Sequence, residues 1–176
     1  MWLRSVANPD TDAMSDDIWA GITLAGIAAE EAELHFPHFT YDDAWQIGSA
    51  LVETARARSL PITIDISRGD RQLFHAALAG STPDNDVWVQ RKSRASLRFS
   101  CSSLALSLKA RQDGVPFAQA RELDGLLYAA SGGSVPVYVE QVGVIGTITV
   151  SGLRQVEDHQ LVVQAMRDFL ASADRS

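Results

Sequence analysis

The chain has 176 residues, of which 46% are hydrophobic and 21% charged, and its formal net charge is -7. This composition is typical of a folded globular domain and excludes a disordered chain. The acidic charge argues against a nucleic-acid partner, because phosphate binding requires a basic surface. With a single cysteine, Cys101, the chain cannot form an internal disulfide, and it fits a reducing compartment.

The N-terminal residues predict neither a signal peptide nor a membrane anchor. They lack the apolar run of a signal peptide, and no apolar stretch in the sequence approaches the length that a bilayer requires. We therefore expect a cytoplasmic protein without a membrane partner. Residues 1–14 are polar and predict a flexible leader, whereas residues 15–176 predict a single domain.

Helical periodicity predicts two helices in the first third of the chain. The first is capped by Ser15 and runs to about Leu34. It ends there because Pro37 cannot continue a helix, and the residues around it predict a loop. Thr40 then caps the second helix, which extends to Arg58.

After the second helix, apolar residues alternate with polar ones, which is the period of a β-strand. Residues 62–66 predict a half-buried strand, and residues 73–78 predict a second one. A further hairpin follows the paired glycines Gly132-Gly133, with arms at residues 135–139 and 144–150.

Helices fill the sequence between the two hairpins and after the second. Thr82 caps a third helix, which is predicted to extend to about Ser103. Short helical segments follow at residues 104–111 and 117–123, and a last amphipathic helix covers residues 155–173. This order of elements predicts an α+β fold, in which helices pack on an antiparallel sheet.

The third helix carries the most informative side chains. Three arginines share one of its faces, beside Lys92 and next to an apolar stripe that includes Trp88: they are Arg91, Arg94 and Arg98. Such a surface can bind a flat ligand with carboxylates, because a guanidinium group matches a carboxylate with two parallel hydrogen bonds. The alternative is a solvated face or a subunit contact, in which the arginines complement the helix dipole.

Two segments of the C-terminal third are further candidates. Gly132-Gly133-Ser134 can present N–H groups to an anion, or can simply form a tight turn at the start of the hairpin. Asp158 and His159 lie in the first turn of the last helix. Asp158 is then a helix cap, and His159 is either a structural residue or a general base oriented by a carboxylate.

The remaining reactive side chains predict no metal site and no complete catalytic constellation. His35 and His38 flank a proline-containing loop, and their spacing is not that of a helical metal pair. His75 lies within a strand and is interpreted as a hydrogen-bonded core or interface residue. Cys101 has no partner and is interpreted as an inert thiol. No phosphate loop or dinucleotide fingerprint is present.

Three segments together resemble a known family. They are residues 39–51 with Asp43-Ala44-Trp45, residues 73–103 with Pro83-Asp84-Asn85 and Arg91-Lys92, and residues 132–159 with Gly132-Gly133 and Asp158-His159. In order and spacing they are similar to the cytoplasmic branch of the haem-degrading-domain (HbpS/GlcG-like) family of bacteria and fungi. The resemblance covers roughly residues 20–172.

The resemblance implies a profilin-like sheet, association into homodimers or larger homo-oligomers, and a pocket near the paired glycines. It also implies haem or another small anionic molecule as the ligand, and makes His159 a candidate haem ligand. The candidate ligand-binding residues are Trp88, Arg91, Lys92, Gly132, Gly133, Ser134, Asp158 and His159.

Three functions follow from these residues. The first is the binding of haem or another anionic small molecule, and it predicts that Arg91→Ala or Gly133→Val lowers affinity while the fold stays intact. The second is oxidative haem degradation, in which bound haem itself activates oxygen. The third is an assembly or adaptor role without small-molecule activity.

Overall fold

The computed structural model describes residues 16–173. A 3-10 helix (Asp16–Trp19) comes first, and the helices are α1 (Leu24–Ala32), α2 (Tyr41–Ala57), α3 (Pro83–Phe99), α4 (Ser103–Asp113), α5 (Phe117–Ala120) and α6 (Gln155–Ala173). The strands are β1 (His35–Phe36), β2 (Thr63–Arg68), β3 (Arg71–Ala77), β4 (Ser134–Val139) and β5 (Gly143–Ser151). The predicted leader and the Ser15 cap lie outside the described residues.

The five strands form one sheet in the order β1-β4-β5-β2-β3. All neighbouring pairs are antiparallel except β1 and β4, which run parallel with His35 opposite Tyr138. The predicted α+β fold, an antiparallel sheet with helices packed on it, is therefore confirmed. The prediction of a loop around Pro37 missed β1, a strand of only two residues that ends where the proline begins.

The two faces of the sheet differ in chemistry. One face is apolar and packs against α2 and α6, with Ile64, Ile148 and Met166 fully buried between them. On the opposite face, which α3 covers, β2 contributes Thr63 and Asp65, and both are buried. The prediction that residues 62–66 form a half-buried strand is therefore wrong, because α3 encloses the polar side chains that would otherwise face solvent.

The first predicted helix is interrupted. The 3-10 helix ends before Gly21, whose φ of 78° lies in the left-handed region and breaks the helical path. Thr23 then caps α1, accepting a hydrogen bond from the N–H of Gly26 at 3.0 Å. The continuous helix expected from Ser15 to Leu34 is therefore wrong, because Gly21 adopts a conformation that a helix interior does not allow and Thr23 supplies a new N-cap.

The other helix boundaries follow local capping signals. Thr40 caps α2 as predicted, in a capping box with Asp43. The third helix ends at Phe99 and does not reach Ser103, because Ser100 adopts a left-handed conformation with φ 52° and Ser102 caps α4. None of the helices within residues 16–173 is long and apolar enough to cross a membrane.

Candidate functional site

Lys92 and Asp158 form an ion pair inside the protein. Their Nζ and Oδ2 atoms are 2.9 Å apart, and the side chains are 3% and 1% exposed. Lys92 also donates to the carbonyl of Val150, and Asp158 accepts the N–H groups of Gly152 and Leu153. Burial raises the pKa of Asp158, and the charge of Lys92 and these donors oppose that rise. The pair thus joins α3, β5 and the start of α6.

The paired glycines lie directly against this ion pair. Gly133 has a φ of 120°, and a Cβ atom there would lie 2.4 Å from the carbonyl oxygen of Val150 and 2.9 Å from Nζ of Lys92. A Cβ atom on Gly132 would lie 2.2 Å from the carbonyl oxygen of Gln155. The expectation that Gly133→Val would leave the fold intact is therefore wrong, because the site has no room for a side chain.

Two of the three N–H groups in the Gly132-Gly133-Ser134 segment donate within the protein. The N–H of Gly132 donates to Oε1 of Gln155 at 3.3 Å, and that of Ser134 donates to Oγ of Ser103 at 2.9 Å. The Ser134 hydroxyl pairs with Thr149 at 2.9 Å, and all these side chains are buried. The hydrogen bonds of this segment therefore connect the start of β4 to α4, β5 and α6.

His159 pairs with a carboxylate that sequence reasoning did not identify. Its Nε2 atom is 2.8 Å from Oε1 of Glu30, and the imidazole is 2% exposed. The pKa of Glu30 is lowered, first by this hydrogen bond and further by the charges of His159 and Arg167. Nδ1 of His159 has no partner within the described residues. The pair lines a small cavity of about 160 Å³ between α1, α4 and α6.

Trp88 and Arg91 line a different and larger cavity of about 710 Å³. Its walls come from α3, from α4 and from the segment between α4 and β4, and they include Trp19, Trp88, Arg91, Arg111, Phe117 and Tyr128. Ser131, which directly precedes the paired glycines, also lines it. The volume lies within the roughly 300–1,000 Å³ typical of small-molecule sites.

Two arginine–tryptophan pairs stand in the wall of this aromatic cavity. The guanidinium carbon of Arg91 lies 4.3 Å from the ring centroid of Trp88, and that of Arg111 lies 5.9 Å from the ring of Trp19. The first pair forms because residues three apart on a helix are neighbours. The N–H of Ala129 donates to the backbone carbonyl of Arg91 at 3.2 Å, and this bond joins the segment before β4 to α3.

Two buried N–H donors in this wall lack an acceptor. They are Nε of Arg91 and Nε1 of Trp19, and neither has a hydrogen-bond partner within residues 16–173. Buried donors are nearly always paired in proteins, since an unpaired one retains its full desolvation cost. Both nitrogen atoms are covered by protein atoms, so a ligand in the cavity supplies their acceptors only after the two side chains turn toward it. Sequence reasoning missed Trp19, because nothing in its local pattern links it to a helix that begins more than sixty residues later.

The other histidines lie away from the aromatic cavity. His75 places Nδ1 3.0 Å from Asp65 and Nε2 3.1 Å from Asp86, so it is hydrogen-bonded as predicted, with its side chain 34% exposed. His35 stacks on Tyr138 with 3.9 Å between ring centroids. Among residues 16–173, no group of three or more His, Cys, Asp or Glu side chains has a metal-binding arrangement.

Cys101 is expected to be unreactive in the folded protein. Burial raises the pKa of its thiol to about 11 from an ordinary value of 9.0, Glu31 adds to the rise, and Arg121 opposes it. Two pKa units reduce the thiolate fraction about 100-fold at neutral pH, and the thiolate is the reactive form. Iodoacetamide labelling, followed by mass spectrometry, should therefore be about 100-fold slower in the folded protein than in urea. A labelling rate that levels off near pH 9 would contradict this assignment.

The fold is that of a small α+β domain, and comparison with known proteins identifies its family. The model of the family described as haem degrading protein HbpS-like matches residues 39–167. The chain therefore belongs to the HbpS-like family.

Relatives of known sequence or structure agree with this assignment. A UPF0303 protein from Streptomyces avermitilis is 52% identical over 148 residues, which cover 84% of this chain and 91% of the relative. The crystal structure of the Ybr137w protein is similar with a TM-score of 0.81 and 30% identity, over 87% of this chain and 90% of that one. The crystal structure of a PduOC–haem complex shares the fold, with a TM-score of 0.63 and 18% identity over 73% of this chain and 93% of that one.

Proposed function

We propose that the protein binds a flat, anionic small molecule in the aromatic cavity. The observation that carries this proposal is the pair of buried N–H donors, on Arg91 and Trp19, which have no acceptor among the described residues. Both residues line the same cavity. Buried N–H groups in proteins are nearly always paired, and a carboxylate bound in the cavity would supply acceptors for both once the side chains turn toward it.

The walls of the cavity favour a planar and largely apolar ligand. Trp19, Trp88, Phe117 and Tyr128 offer ring surfaces, and small side chains such as Ala129 lie between them. Indole and phenol rings pack favourably against another ring in offset or edge-on arrangements. The charge of the ligand is set by Arg91, whose positively charged guanidinium group matches a carboxylate.

Haem is the ligand that the family suggests, and the cavity fits its organic part. The aromatic walls suit a macrocycle, and Arg91 and Arg111 suit its two propionates. When bound, haem would supply a redox-active iron. The chain's own residues orient the ring and exclude water. None of the four histidines lines the cavity, so the candidate role of His159 as a haem ligand finds no support at this site.

The test is a haem titration of the purified protein, read by the Soret band. The wild type should show a saturable shift, and Arg91→Leu should weaken binding about tenfold or more, because a hydrogen bond to a charged group contributes about 1.5–3 kcal/mol. Arg94→Leu is the matched control, since Arg94 lies one turn further along α3 and lines a different cleft. Equal loss of affinity in both variants would contradict the proposed site.

Addition of ascorbate under air to the same samples tests oxidative haem degradation, the alternative function. Bleaching of the Soret band indicates degradation, whereas a stable band indicates binding alone.

The absence of any saturable ligand would instead favour the assembly or adaptor role. The cytoplasmic location and the homo-oligomeric state belong to this proposal as well, and they are supported by the single cysteine and by the family resemblance.

A further inference from the structure

The aromatic cavity offers few groups that can coordinate iron. Haem iron in proteins is held by histidine, cysteine, methionine or tyrosine side chains. Of the residues in the cavity wall, within the described part of the chain, Tyr128 alone carries such a group. Cys101 lies outside the wall, and Met166 lies in the core on the opposite face of the sheet.

The phenol group of Tyr128 is already engaged by α3. Its oxygen accepts a hydrogen bond from Nη1 of Arg98 at 3.3 Å, and the guanidinium carbon of Arg98 lies 5.4 Å from the centroid of its ring. Iron coordination by this oxygen would compete with that contact. The cavity is therefore poorly equipped to gain affinity from a metal.

The wall instead carries two hydrogen-bond donors, on Trp19 and Arg91. Trp19 is 8% exposed and its Nε1–H can only donate, and the Nε–H of Arg91 likewise can only donate. Both groups call for oxygen acceptors on the ligand. A carboxylate satisfies them best, because it accepts several hydrogen bonds and neutralises the fixed charge of the guanidinium group.

We infer that the cavity selects a planar aromatic carboxylate through the N–H groups of Trp19 and Arg91, and that a metal in the ligand adds nothing to affinity. This inference rests on the proposed function and narrows it to a ligand class. It separates the recognition of the ligand from any chemistry at iron. Haem would then be one member of the class, held by its ring and its acid groups.

Parallel titrations with ferric haem and with metal-free protoporphyrin IX test the inference. The two dissociation constants should agree within about threefold, which is under 1 kcal/mol. Trp19→Phe, which removes the N–H and keeps an aromatic ring, should weaken both ligands about tenfold. Tyr128→Phe should change both affinities by the same factor. Isothermal titration calorimetry measures all of these dissociation constants without depending on an absorbance change that differs between the two ligands.

The possible outcomes distinguish failure of this inference from failure of the proposed function. Haem that binds more than about tenfold tighter than the metal-free ring, with the difference lost in Tyr128→Phe, would overturn the inference and leave the proposed function standing. Absence of saturable binding for both ligands would overturn the proposed function as well. Trp19→Phe should still fold, but with lower stability, because the smaller ring leaves part of the apolar cluster of Trp19 with Ile27 and Leu104 unfilled, and thermal unfolding checks that the variant is folded before its affinities are compared. If that variant does not fold, Arg91→Leu replaces it in the same comparison.

Discussion

Lys92→Met is expected to lower the free energy of unfolding by about 3–5 kcal/mol, because it leaves a buried carboxylate without its counter-charge. The carboxyl group of Asp158 is 1% exposed and has no access to water that could replace Lys92. The two N–H donors of Gly152 and Leu153 remain, but they carry only partial charge. Urea denaturation followed by circular dichroism measures the change.

Two further variants show whether the pairing itself causes the loss. The double variant Lys92→Met with Asp158→Asn should recover part of the stability, because the neutral amide removes the unpaired charge and its oxygen can still accept the N–H of Leu153. Lys109→Met breaks an exposed pair with Asp113 on α4 and should cost at most about 1 kcal/mol. If Lys92→Met costs no more than Lys109→Met, the ion pair is not an essential link between α3 and the sheet.

Local signals were sufficient to predict most elements of the fold. The capping box of Thr40 and Asp43 depends on residues three apart, and the alternation along the strands depends on residues two apart. The last helix was predicted with both of its ends, from residue 155 to residue 173. These features can be predicted because capping and the periodicity of side chains depend on residues that are close together in sequence.

The burial of α3 could not be predicted in the same way. Lys92 follows an arginine and precedes another two residues later, so the local pattern indicates a solvated face. Its partner Asp158 is 66 residues away, and the two meet only because β5 and the start of α6 cross beneath α3. The hydroxyl-rich face of the sheet that receives α3 gives no apolar signal either. Tertiary packing therefore decided which basic residue is enclosed.

The candidate site was found in part for the same reason. Trp88 and Arg91 were identified together because they are neighbours on one helix. Trp19, Phe117 and Tyr128 were missed, since they come from separate segments that join Trp88 and Arg91 only after the chain has folded. The sequence thus predicted one wall of the cavity, and the structure adds the others.

Gly133→Ala is expected to cost about 3–5 kcal/mol of unfolding free energy, from backbone strain and from overpacking together. A φ of 120° is strained for any residue with a side chain, and the new methyl group would lie 2.4 Å from the carbonyl oxygen of Val150 and 2.8 Å from Cβ of Asp158. The clash therefore affects Val150 and Asp158, which both contact Lys92 in the buried ion pair.

Gly143→Ala is the matched control, because Gly143 has a similar φ of 100° and a methyl group there would meet no atom within 4 Å beyond its chain neighbours. It should cost only the strain, about 1–2 kcal/mol. The difference between the two variants measures the contact at Gly133. If Gly133→Ala is no less stable than Gly143→Ala but binds haem more weakly, the paired glycines contact the ligand directly. If it is far less stable, their role is to let β4 approach β5 and α6, behind the wall of the aromatic cavity.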